Sequence, residues 1–176
     1  MNRVRKLILN TLVIICVLFL IYYFGGFYFS KETCDLHTMR SLYVNETTYI
    51  MEFSNNNYTK TIYANPEEKT MSIVGSKRIG FWHQTASSST GHKIDMNTKL
   101  DIFGSYSRDF GGMITVVYRN DSAIDKVEVC YDDGFCVVLD DWKQDFAGVF
   151  IKNKMWQNGI YKAYDNQGNL IVEITY

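Results

Sequence analysis

From Leu7 to Phe24 the chain reads LILNTLVIICVLFLIYYF, 18 residues without a charged side chain. As a helix this run covers roughly 27 Å, or about 35 Å if carried on to Phe29, against about 30 Å of bilayer hydrocarbon. Thirteen of the 18 are Leu, Ile, Val or Phe, which favour insertion, and Asn10 and Thr11 fall near the start, where polar groups cost less. Tyr22, Tyr23 and Tyr28 gather with Phe27 and Phe29 at the far end, where amphipathic rings prefer the headgroup zone. Arg3, Arg5 and Lys6 precede the run with no acid before Glu32, while Lys31 and Arg40 follow it. The positive-inside rule then predicts a cytoplasmic tail over 1–6, a transmembrane helix over 7–29 and an extracytoplasmic remainder, in a single-pass cell-membrane protein. The expected membrane-interface residues are Arg3, Arg5, Lys6, Tyr22, Tyr23 and Tyr28, and the lipid bilayer is the first expected partner. A cleaved signal peptide shares the charged and apolar regions, but cleavage wants small residues at the last and third-last positions. Cutting after Gly26 or Ser30 places Phe24 or Tyr28 third from the cut, so the helix is read as retained. Cys16 follows Val13, Ile14 and Ile15, without the small residue that a lipoprotein signal places before its cysteine.

Beyond the anchor the chain carries 15 Lys+Arg against 19 Asp+Glu, a mildly acidic balance with no basic field for nucleic acid. Aromatic residues make up 15% of the whole, with 13 Tyr and 11 Phe, a content suited to pleated, half-buried surfaces. Short apolar or alternating runs recur between Gly, Asn and Asp clusters, which predicts an all-β, antiparallel sandwich-like domain over 46–176. Residues 30–45 read as a stalk, with Glu32 to Leu42 either part of it or a short helix. The expected strands are 47–53, 58–64, 71–74, 79–84, 100–106, 113–119, 126–131, 135–140, 146–152, 160–164 and 170–175. Linkers 54–57 (SNNN) and 75–78 (GSKR) suit hairpin turns, and 85–93 (TASSSTGHK) is the most polar stretch and is expected to be an exposed loop.

The best-specified local structure surrounds Asp132-Asp133-Gly134. A three-residue loop there faces Val127, Val129 and Tyr131 with Leu139, Val137 and Phe135, giving one wholly apolar face, whereas a two-residue loop mixes the faces. The same register sets Cys130 opposite Cys136, roughly 4.5–5.5 Å apart at Cα, within reach of a disulfide and equally compatible with two free thiols. Cys34 is left beside the anchor as a free thiol or an intermolecular link. Val127 to Gly134, Phe146 to Phe150, and Tyr164 to Ile171 with its Asp165-Asn-Gln-Gly-Asn169 turn together resemble the closing strands of small, uncharacterised membrane-anchored or lipoprotein β-modules of Gram-positive bacteria. That resemblance spans about the last 50 residues; it implies an envelope-facing sheet and brings no catalytic residue with it.

No G-x-S-x-G, S-x-x-K or phosphate-cradling G-x-x-x-x-G-K-[ST] occurs. His37, His83 and His92 lack an H-E-x-x-H helix or regularly spaced Cys partners, so no metal site is expected. His83 reads as a strand residue and His92 as a loop residue. The doublets Asp132-Asp133 and Asp140-Asp141 point to opposite faces of a strand and read as turn and strand-end residues, not as a catalytic pair. Trp142 and Trp156 either fill a core or form a platform for glycan or peptide. Asn45, Asn57 and Asn120 open N-x-[ST] triplets, which matter only in a eukaryotic secretory host. With no catalytic residue and no cofactor expected, the leading expectation is a non-catalytic binding module at the envelope. Its partner would be an envelope protein or a glycan, with contacts at 85–93 and 107–112 and an open oligomeric state. The alternatives are a small envelope enzyme or an inhibitory protein acting on a membrane complex.

Overall fold

A helix that is apolar beyond its basic first turns, followed by closely spaced strands, is what the computed structural model shows, over residues 3–42, 47–155 and 157–176. The elements are α1 (Arg3–Gly25), β1 (Phe27–Tyr28), α2 (Lys31–Ser41), β2 (Thr48–Asn55), β3 (Tyr58–Asn65), β4 (Thr70–Ile79), β5 (Trp82–Thr85), β6 (Ser89–Lys93), β7 (Leu100–Ser107), β8 (Gly112–Arg119), β9 (Lys126–Tyr131), β10 (Cys136–Leu139), β11 (Phe146–Lys152), β12 (Gly159–Tyr164) and β13 (Leu170–Thr175). Asn45, Trp156 and the side chain of Tyr23 lie outside the described residues. The body is mostly β and every strand pairing is antiparallel.

The strands form three sheets: β1-β5-β4-β3-β2 with β6 also on β4, β11-β8-β7, and β10-β9-β12-β13. Their order in space follows from the two cores. Ile50, Ile62 and Ile73 of the first sheet meet Ile114, Val116 and Phe146 of the second. Met113, Val117 and Ala147 on the opposite face of that second sheet meet Val127, Val129, Tyr161 and Ala163 of the third. The three-stranded sheet is therefore a middle layer covered on both faces. The unbroken run Met113-Ile-Thr-Val-Val117 is the composition such a strand needs, because neither set of alternating side chains reaches water. Thr115 is the polar member of the run, and its hydroxyl is paired with the Tyr131 hydroxyl at 2.9 Å.

Two expectations are corrected, and one left open is decided. Helix α1 stops at Gly25 and does not run to Phe29: Gly26 takes a left-handed φ of +62°, and the backbone of Phe27 and Tyr28 pairs with Gln84 and His83. Of the two readings of Glu32 to Leu42 the helix is the one present: residues 31–41 form a helix docked on the first sheet, and not part of a stalk. Ser30 caps it, accepting from the Thr33 amide at 3.2 Å, and Cys34, Asp35, Thr38 and Met39 are buried beneath it. Residues 75–78 are the interior of β4, and the turn lies at Gly80, φ +63°. Gly75 serves close approach there, since a Cβ would strike the carbonyl of Ser87. That approach lets 86–88 cross the strand between β5, on the second half of β4, and β6, on its first half.

Candidate functional site

Each sheet ends in a strand with a single partner: β2 in the first, β11 in the second, β10 in the third. These three edges converge on one side of the body around a cleft of about 440 Å³. Tyr49 to Phe53 of β2 form one wall, Val137 to Asp141 at the end of β10 form the other, and Ala147, Gly148 and Val149 of β11 are the floor. Gly148 is required by this arrangement, because a Cβ there would press on Met51 Sδ and the Phe53 ring. The first residue of β11 is closed off by a reciprocal pair of backbone bonds with Lys143, at 2.7 and 2.9 Å; the rest of that edge faces the cleft without a neighbouring strand.

The lining mixes apolar surface with charge. Val138 is half exposed, and Asp140 and Asp141 share one cation, Lys143, which approaches Asp141 at 3.7 Å. Glu52 is tied inward: its Oε2 receives Lys31 Nζ at 3.0 Å, and the same amine reaches Asp35 at 3.2 Å and the Thr61 hydroxyl at 3.1 Å. One Asp35 oxygen thus accepts from Lys31, Thr61 and the Tyr63 hydroxyl, while its other oxygen is buried without a partner. Burial raises the Asp35 pKa despite these donors. Burial also works against the Lys31 cation, but its bond to Glu52 and the charge of Asp35 outweigh that and raise its pKa. This network connects α2, the helix that follows α1, with the cleft wall. Its local signal in the sequence was the i, i+4 spacing of Lys31 and Asp35; the involvement of Glu52 rests on strand pairing far along the chain.

The anticipated residues fall in several places. Cys130 and Cys136 face each other across β9 and β10 and are joined as a disulfide, with Val129 opposite Val137 and Val127 opposite Leu139. Among the described residues, Glu128 with these two cysteines is the one group of acids, thiols and imidazoles close enough to hold a metal. The disulfide removes both thiolates, and Glu128 accepts from the Tyr164 hydroxyl at 3.2 Å. Cys34 is fully buried against the Thr38 and Thr85 hydroxyls, which closes it to an intermolecular link. Arg3, Arg5 and Lys6 lie on the exposed first turns of α1, and Tyr22 lies on its last turn. Tyr28 is corrected: at 5% exposure, with its ring centroid 5.1 Å from that of His37, it belongs to the folded body and not to an interface belt.

The expected contact loops also change. His92 lies in β6, opposite Met71, and its Nε2 is 2.9 Å from Asp101, so 85–93 is mostly strand, with 86–88 as the connection. The 107–112 turn sends Phe110 into the core. Asp133 caps its own turn at the Phe135 amide and holds the buried Lys154 ammonium at 2.6 Å; these bonds keep its carboxyl below the usual range. Trp142 donates to the Asp125 carbonyl at 2.6 Å and lies under the Arg119 guanidinium at 4.5 Å, packed on the core between the second and third sheets. No protein family, curated protein or solved structure matches this chain.

Proposed function

We propose that the chain is a single-pass membrane protein with residues 1–6 in the cytoplasm and the sheets outside, and that it is a non-catalytic binding module taking an extended, basic polypeptide segment into the cleft. Helix α1 supports the anchor: its stretch Arg3–Tyr22 is long and apolar enough to cross a membrane, and none of the residues in its apolar window is buried inside the body. The convergence of three single-partner strands carries the binding reading. An extended segment laid along β11 gains main-chain hydrogen bonds, alternate side chains find the walls, and Asp140 with Asp141 against Lys143 leaves a net negative charge that favours a cationic guest.

The test uses the full chain in lipid nanodiscs and a library of extended peptides carrying Lys or Arg at alternate positions. Binding should weaken with salt, fall at least tenfold in an Asp140→Asn, Asp141→Asn variant, and vanish when the peptide amides facing β11 are N-methylated. Binding indifferent to N-methylation refutes strand addition. Sidedness is read separately, by impermeant maleimide on intact cells at a cysteine placed at exposed Ser122; labelling only after lysis refutes the orientation.

A further inference from the structure

At the junction of anchor and body, aromatic rings form a continuous surface in which Phe29 and Phe81 are exposed among the described residues. Phe29, 61% exposed, stacks on Tyr22 in the last turn of α1 at 6.0 Å and on Trp82 at 4.4 Å. Trp82 continues to Phe81 at 4.9 Å, which is 67% exposed at the tip of the β4–β5 hairpin, next to exposed Ile79 and Arg78. Phe27 flanks the same indole edge-on at 6.4 Å. Beneath Phe29 an apolar hollow of about 310 Å³ is lined by Leu18, Phe19, Tyr22 and Thr33.

We infer that the β4–β5 hairpin tip is a second membrane contact, with Phe81 and Trp82 seated in the interfacial layer of the same bilayer that α1 crosses and a lipid chain filling the hollow. This rests on the membrane reading of α1. Three observations select lipid as the occupant. Leu18, Phe19 and Tyr22 belong to the spanning segment, so whatever fills the hollow lies at the level of the bilayer's outer boundary. The stack from Tyr22 through Phe29 and Trp82 to Phe81 places the tip at that level, where Trp and Phe partition well and Arg78 meets lipid phosphate. The connection is also short and stiff: after Gly26 the chain enters β1, whose residues are hydrogen-bonded to β5, the strand that begins with Trp82. Tip and anchor therefore share one strand pair, which keeps the tip close to the level at which α1 leaves the bilayer.

The experiment places the full chain in vesicles of phosphatidylcholine with brominated acyl chains and reads tryptophan emission against unbrominated vesicles. Wild type should be quenched; Trp82→Phe should remove the bromine-dependent quenching, Trp142→Phe should leave it, and Phe81→Trp, at an exposed position that folding does not need, should raise it about twofold. Quenching unchanged in Trp82→Phe, together with none gained in Phe81→Trp, overturns the inference and places the tip in water. Failure of the anchor reads differently, as release of the chain from vesicles in carbonate before any emission is measured.

Discussion

Val116 and Val117 are adjacent on β8, both fully buried, and they serve different cores. Truncating either to Ala removes two carbons, worth about 1.6 kcal/mol of transfer free energy, and a residual void of about 40 Å³ adds about 1 kcal/mol. Each variant should lose about 2.5 kcal/mol, or about 8 °C in Tm for a domain of this size. Because the middle sheet is common to both cores, the loss should not stay on one side. Amide exchange followed by mass spectrometry, on the full chain in nanodiscs, should rise by about 60-fold in both β3 and β12 for either variant, since opening either core exposes the shared layer. The opposite faces lack common partners, so the double variant should be close to additive. If Val117→Ala accelerates β12 and leaves β3 protected, the layers open independently and the reasoning from a shared middle sheet is wrong.

Two further outcomes follow from buried chemistry. Burial raises the Asp35 pKa above its unfolded value, so the folded chain holds more protons between the ordinary carboxylate range and the raised value, and this group's contribution falls as pH climbs through that window. Asp35→Asn should therefore gain urea midpoint relative to wild type as pH rises out of the ordinary carboxylate range, and a relative loss there would mean that Lys31 holds the carboxyl ionised. The Cys130–Cys136 link closes a very short loop, so Cys136→Ser should cost at most about 2 kcal/mol, and thiol titration of the denatured, unreduced chain should count two of the four cysteines; a count of four would exclude the bond.

The parts of the fold legible in the sequence are those set by near neighbours. The β9–β10 register follows from three turn residues and period-two alternation, and the bounds of β9, β11 and β13 coincide with the apolar runs that suggested them. Local pattern failed where a residue answers to a distant one. Gly75 reads as a turn glycine because its contact is the Ser87 carbonyl, and Ser89–Lys93 is polar because β6 lies on a sheet margin. Helix α2 has no clear apolar stripe, since it buries Asp35 and Thr38 alongside Cys34 and Met39. The cleft was invisible for a related reason: its walls come from three sheets, and none of its residues is unusual in its own strand.

The middle sheet also sets a schedule for biogenesis. Its strands β7 and β8 emerge directly after the first sheet, but β11 follows only after β9 and β10. At about 5–20 residues per second, the roughly 60 residues between the end of β6 and the end of β11 keep the inner face of the first sheet incompletely roofed for about 3–12 seconds. During that interval Ile50, Ile62 and Ile73 are open to chaperones and to neighbouring nascent chains, so pauses in translation across the β9–β10 hairpin should govern yield more than pauses elsewhere.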